Sequence, residues 1–425
     1  MKGTKSLALI LFFLISPAFA AQHGNHDTGM RNGAHAGMEE MKGMLGGYSM
    51  SRESSGTSWQ PDSSPTEGLH FRKGEWMLGV HGRAAGVYSY QEGPRGDDKL
   101  FSTSMFMLMA ARDLGRASLG FRGMLSLEPL TLGKRGYPLL LQSGETADGK
   151  IPLIDRQHPH DLFMELAGIC SLPVSPGSSL FIYAGMPGEP ALGPPAYLHR
   201  FSGMDMPEAP LSHHWLDSTH ITFGVATLGY IHRKAKLEFS VFTGREPDEN
   251  RWNFDSPEFD SYSGRFSFNP GPNWALQASF GRIRGPEQLH PEKDTDRATA
   301  SAIYNLPLGS GNWQTTFAWG RNDTRPGNTL DALLLESALR VHGRHTFFGR
   351  AERVEKDELF FDDPREDIVY TVEKLSLGYV YDFPEWKNIR FGVGGSIGIN
   401  FLPEELEKVY GRRPLGYFIF TRAKL

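Results

Sequence analysis

From Glu75 onward, apolar and polar residues alternate with a period of two. In residues 389–401, Ile389, Phe391, Val393, Ile397, Ile399 and Phe401 fall on one face, and Arg390, Gly392, Gly394, Ser396, Gly398 and Asn400 fall on the other. A strand with one oily face and one small polar face fits lipid outside and a polar interior inside. Residues 235–242, 274–281, 313–320 and 375–381 repeat the pattern less strictly, and residues 415–425 form a closing strand that ends in Leu rather than an aromatic. The connections alternate too. Tight turns are expected at 112–116, 173–177, 232–234, 269–273, 307–312, 342–344 and 382–387. Longer loops are expected near 91–98, 129–160, 187–218, 245–259, 285–295, 323–330, 355–370 and 400–416. Seven turns and eight loops join about sixteen strands, with both ends of the array on the tight-turn side.

This rhythm predicts an all-β fold, a transmembrane antiparallel β-barrel over residues 70–425. Trp274, Trp313 and Trp386 all sit at tight turns, where one aromatic girdle belongs. A secreted soluble β protein also alternates, but it has no reason for regular short and long connections or for tryptophans on one rim. After residue 20 no stretch approaches the roughly 20 apolar residues of a membrane helix.

Residues 1–20 carry Lys2 and Lys5, an apolar run and an Ala-x-Ala ending, the order of a cleaved secretory signal. Taking Lys2 and Lys5 from the 44 basic residues leaves 42 against 49 acidic ones, which gives a nucleic-acid partner no electrostatic support. Cys170 is the only cysteine, so no disulfide forms within the chain. Residues 21–69 are poor in aliphatics and rich in Gly, Ser, His and Met, a composition that predicts a disordered tail. The tail carries His23, His26, Met30, His35, Met38, Met41 and Met44, imidazoles and thioethers that suit copper ions.

Chemistry concentrates at residues 155–220, which hold six of the fifteen histidines. Candidate metal ligands there are His158, His160, Asp161, His199, Met204, Asp205, Met206, His213, His214 and His220. The mixed set favours a transition metal over a hard cation. By strand parity Asp161, Glu165 and His220 face the lumen if Leu162, Met164, Leu166, Ile221, Phe223 and Val225 meet lipid. The loop at 187–218 is apolar enough, through Ala191, Leu192, Tyr197, Phe201, Leu211 and Trp215, to fold into the barrel. A structural role for the histidines, holding loop backbone, competes with the metal reading. So does hydrolysis at the barrel mouth by an acid and His pair acting on water or Ser212, although no recognised nucleophile or metal-base motif is present and no enzyme is expected. Lys236 with Glu238, Glu336 with Arg340, and Arg350 with Glu352 are expected on inner faces, and Met105, Met107 and Met109 share a face that sequence alone leaves unassigned.

Over residues 70–425 the chain resembles bacterial outer-membrane β-barrels of the porin-like kind, and residues 21–50 are similar in composition to the Met- and His-rich leaders of copper-resistance outer-membrane proteins. The resemblance implies a site in the bacterial outer membrane with the tail in the periplasm. It further implies contact with outer-membrane lipid, binding or passage of a metal ion, copper first, or of a small solute, and periplasmic copper-handling proteins as partners. A porin-like barrel without a metal role is the other reading it allows.

Overall fold

The computed structural model describes residues 42–425. Nineteen strands run β1 (Leu69–Lys73), β2 (Trp76–Gln91), β3 (Asp98–Leu114), β4 (Ala117–Leu125), β5 (Tyr137–Thr146), β6 (Pro152–Gln157), β7 (Phe163–Ser175), β8 (Ser178–Gly185), β9 (Val225–His232) and β10 (Ala235–Phe242). They continue with β11 (Ser261–Phe268), β12 (Trp274–Ile283), β13 (Asp294–Leu308), β14 (Gly311–Arg325), β15 (Thr329–Val341), β16 (His345–Lys356), β17 (Tyr370–Asp382), β18 (Arg390–Phe401) and β19 (Leu415–Lys424). Each of β2, β3, β4 and β7 to β19 pairs antiparallel with its neighbours, and β19 pairs back onto β2, from Gly416 with Gln91 to Lys424 with Arg83. The ring is therefore closed, with sixteen strands. Closure satisfies every edge, the condition for a sheet to cross a bilayer. The short β1 extends the seam, pairing with Trp76 to Val80 of β2 just beyond the end of β19, while β5 and β6 form a separate hairpin within the loop between β4 and β7.

Each connection between consecutive wall strands overlaps one of the expected turns or loops. The outer surface carries the apolar set: Leu108, Leu237, Phe239 and Ile397 are 54–63 % exposed, each between buried neighbours or half-buried ones in its own strand. Such a continuous apolar exterior is solvated by lipid rather than water. The inner faces carry Lys236, Glu238, Arg265, Glu336, Arg350 and Glu352, all buried. Met105, Met107 and Met109 also turn inward, because Phe106 and Leu108 between them are exposed.

Besides the β5–β6 hairpin, whose Tyr137–Thr146 strand is buried throughout, two segments occupy the lumen. The loop after β8 folds inward as expected. Its Ala191 N–H donates to Ser240 (2.8 Å), Gly193 N–H to Ser279 (2.9 Å), Arg200 to Glu336 (2.6 Å) and Ser212 Oγ to Glu352 (2.8 Å), while Glu208 accepts from Lys374 (2.7 Å). These partners lie on β10, β12, β15, β16 and β17, so the loop is tied across the width of the barrel.

The second segment overturns an expectation. Residues 42–68, read from composition as part of a disordered tail, pack into the tight-turn end of the barrel. Leu45 C=O accepts from Ser171 (2.7 Å) and Ser179 (3.1 Å), Arg52 donates to the Arg233 carbonyl (2.9 Å), Thr57 accepts from Arg265 (2.9 Å), and Asn305 donates to the Ser63 carbonyl (2.6 Å). Trp59 is buried against Tyr48 (centroids 5.3 Å apart) and Met44 is buried beside Ile169 and Phe181. The low aliphatic content that suggested disorder reflects the surroundings: a segment sunk among Ser, Asn, Lys and Arg gains order from hydrogen bonds, with Met44, Leu45 and Trp59 as its few apolar anchors. The two segments meet where Ala196 N–H donates to Ser55 Oγ (2.8 Å).

Two parity assignments also change. Met164 is fully buried, because the pairing of β4 with β7 shifts register between Met124 and Leu125, which reverses the face of residues beyond the shift. Ile221, Phe223 and Val225 are buried, and β9 begins only at Val225, which faces inward with Thr227, so the residues before it belong to the in-folded loop.

The lipid-facing assignment makes a direct prediction. Phe239→Arg, near the middle of β10, should destabilise the folded barrel by about 2–4 kcal/mol, the cost of a midplane cation. The check is denaturant titration in bilayers alongside the wild type, where an unchanged midpoint would place Phe239 off the lipid face.

Candidate functional site

Five of the six expected histidines come together inside the in-folded region. Ring centroids are 5.2 Å apart for His213 and His220, 5.3 Å for His160 and His220, 5.5 Å for His213 and His214, and 6.0 Å for His158 and His214. Tyr197 packs edge-on against His213 at 5.5 Å. Local geometry explains the grouping. His213–Leu216 makes one helical turn, so His213 and Asp217 stand one turn apart on the same side, and Ser218–His220 follows as a second tight turn. Asp217 is the hub of the arrangement. Its carboxylate accepts from His213 Nδ1 (2.8 Å), Arg200 (2.8 Å) and Tyr197 N–H (2.8 Å), and its carbonyl lies 2.8 Å from His220 Nδ1.

Most of these rings have Nδ1 on an oxygen. His160 Nδ1 lies 2.9 Å from Glu128, His214 Nδ1 lies 3.4 Å from Glu246, and the Nε2 atoms of His160, His214 and His220 are buried with no protein partner. An imidazole oriented through Nδ1 with Nε2 bare is how metal-binding histidines are commonly held. The five imidazoles nevertheless do not share one point. Among the described residues, the histidine and acidic side chains whose ligand atoms all fall within 4.8 Å of one another are His214, Glu246 and Glu287. The His214 ring lies over Gly144, whose φ of 112° and missing side chain give it room. The three residues border a cavity of about 130 Å³ that also touches Glu145 and Arg297.

The electrostatics favour a cation there. Burial, together with the nearby Glu246, Glu358 and Glu145, pushes the Glu287 carboxyl well above the usual carboxylate range. A carboxyl raised first by burial and then by neighbouring acids is one whose ionised form a bound cation would favour. Burial disfavours charge on Glu246 as well, but His214 and Arg297 outweigh it and hold that carboxyl below its ordinary value.

The other candidates serve different partners. Asp161 is bound by Arg251 (3.1 Å), and burial lifts its carboxyl to about 6. Asp205 is buried in an ion pair with Arg422, and despite burial Arg422 and Lys424 hold its carboxyl at about 2. Met206 packs in the apolar core with Phe201 and Leu211. His199 lies away from the five-ring group, beside a second cavity that Met204 also borders. Ser212 donates to Glu352, not to an imidazole. His23, His26, Met30, His35, Met38 and Met41 lie outside the described residues. Glu246 and Glu287 were not anticipated. Each adjoins a proline at the start of a long loop just past an inward-facing strand end, as Glu246-Pro247 and Pro286-Glu287.

The closed ring, apolar exterior and charged interior define the class: a sixteen-stranded transmembrane antiparallel β-barrel. Solved structures with a similar course include an anion-selective porin from Comamonas acidovorans (11 % identity, TM-score 0.49, covering 83 % of this chain and all of that one). A Salmonella typhi OmpF complex with daunomycin (10 %, 0.49, 84 % and 100 %) and a high-pH structure of Pseudomonas putida OprB (10 %, 0.48, 82 % and 93 %) are similar to a like degree. No protein-family model and no curated protein sequence matches the chain.

Burial lowers the pKa of His158, His213 and His220, and that of His199 to about 3. Unfolded imidazoles titrate near 6.5, so below that pH the unfolded chain binds more protons than the folded one. The stabilising contribution is complete above about pH 6.5 and declines as pH falls toward the folded values. Asp161 opposes this, since its raised pKa removes stability as pH rises from about 4 to about 6. Glu189 of the same loop opposes it as well, its carboxyl raised by burial to about 8; with the four imidazoles governing the loop, protease cleavage within residues 187–224 should increase as pH falls from 7.5 to 4.5. Equal cleavage at both values would show that these imidazoles do not govern the loop.

Proposed function

We propose that this outer-membrane barrel binds and passes a transition-metal ion, and that the ion is held inside the lumen by His214, Glu246 and Glu287. The observation that carries the reading is that one imidazole and two carboxylates converge within 4.8 Å beside a cavity, next to four further buried histidines. One nitrogen and two carboxylate oxygens suit a borderline divalent ion, and copper(II) is the first candidate because it heads the affinity order for such ligands. The filled lumen supports a channel in which an ion meets protein ligands rather than an open water column. The tail residues His23, His26, Met30, His35, Met38 and Met41 would capture the ion on the periplasmic side.

The mature protein in detergent should bind copper(II) or cobalt(II), and His214→Gln with Glu287→Gln should weaken the lumenal site on the order of 10- to 100-fold, the loss that even outer-shell changes produce at metal centres. Calorimetry with metal analysis reads this, and unchanged affinity in the double variant removes the site. For the tail, deletion of residues 22–41 should lower copper tolerance and total bound copper; if neither changes, the capture role fails.

A further inference from the structure

The inward-facing methionines meet the N-terminal segment at a second cavity, of about 100 Å³, on the tight-turn side of the histidine group. Five thioethers border it: Met44 and Met50 from the N-terminal segment, Met107 and Met109 from β3, and Met204 from the in-folded loop. Three imidazoles, those of His70, His81 and His199, border it too. Five parts of the chain, the N-terminal segment, β1, β2, β3 and the in-folded loop, thus bring eight soft or borderline donors to one space.

The register of the sheet explains part of this. His70 of β1 stands opposite Gly79 of β2, and Gly79 stands opposite Met109 of β3, while the next inward pair is His81 opposite Met107. Gly79 supplies the room. A Cβ placed there would lie 2.7 Å from the Met109 methyl and 3.3 Å from His70 Nε2, so the thioether and the imidazole meet over the bare backbone. Met44 in turn lies against β4, its sulfur 2.9 Å from where a Cβ at Gly120 would be.

The imidazole nitrogens here are not used up by the protein. Both ring nitrogens of His70 and Nε2 of His199 are buried with no hydrogen-bond partner, and His81 Nε2 is 4.0 Å from Glu67. Bare buried nitrogens cost free energy unless something binds them. Methionine is a common filler of irregular cores, but a filler needs no unpaired imidazoles beside it.

We infer that this cavity is a binding site for a soft monovalent d¹⁰ cation, copper(I) or silver(I), held by two or more of the thioethers of Met44, Met107 and Met109 with one or two of the imidazoles of His70, His81 and His199. Thioether sulfur favours copper(I) over harder divalent ions, and neutral imidazole completes such a set without adding charge. The site stands apart from the His214 centre, which offers carboxylates and no sulfur. Met204 borders both this cavity and the small one lined by His158 and His160. It is the one thioether placed between the two ligand groups.

Silver(I) is the probe, because it needs no reductant. The full mature chain should take up one more equivalent of silver(I) than the Met107→Leu/Met109→Leu variant, whose leucines keep the volume of the site. Uptake is read by calorimetry and metal analysis, and folding is confirmed by heat-dependent migration in SDS gels. In ¹³C-methyl-methionine spectra silver(I) should shift at least two signals that the double variant lacks. Should the methionine variant not fold, His81→Gln/His199→Gln replaces it, with the same loss expected. His214→Gln/Glu287→Gln should keep this silver equivalent, so failure of one site is distinguishable from failure of the other. Equal silver uptake by wild type and by a folded methionine or histidine variant overturns the assignment.

Discussion

The interior of this barrel depends on pairing charges that lie out of reach of water. Arg200 shows the constraint most plainly. Its guanidinium sits between Asp217 of its own loop and Glu336 of β15, and Arg350 on β16 holds the other oxygen of Glu336 (3.2 Å). Removing one member of such a set leaves a buried charge uncompensated, at a cost of about 3–5 kcal/mol. The strands alone cannot satisfy these groups. The loop after β8 is drawn inward because Glu336, Glu352 and Lys374 need the partners that Arg200, Ser212 and Glu208 supply. Lumenal charge, more than the loop's own apolar residues, determines where the histidines end up.

The same pairing organises the candidate chemistry. Asp217 serves the scaffold through Arg200 and the imidazoles through His213, so the position of the histidine group is inherited from the charge network. Where the network is complete, as at Asp161 with Arg251, the acid is committed to the protein. Where it is incomplete, as at Glu287 among other carboxylates or His70 with both nitrogens bare, capacity remains for something else. This separation divides candidate ligands from structural groups better than residue type does.

Much of the barrel could be read from the chain because its rule is local. A period of two and a regular series of turn residues require no knowledge of distant partners, and the face of Ile397 or Lys236 follows from that alone. What escaped was non-local. Residues 42–68 looked structureless because their partners, Ser171, Arg233, Arg265 and Asn305, lie more than a hundred residues away. The face of Met164 was hidden by a register shift between two strands, invisible in either alone. The histidines were legible as a cluster, but the convergence of His214 with Glu246 and Glu287 joins three loops and has no counterpart in spacing. His199 was counted with its sequence neighbours although the turn at Tyr197–His199 sends it toward the methionines.

The place of residues 42–68 in the chain constrains biogenesis. They precede β2, one side of the closing seam, yet they bind strands as late as β15 and β19, where Glu67 meets Arg340 (3.0 Å) and Lys424 (3.1 Å). Zipping β19 onto β2 completes the wall around a stopper whose last anchors are on β19 itself. The start of the chain must therefore wait, without its final contacts, until the end has been made, and the ring shuts on its own contents.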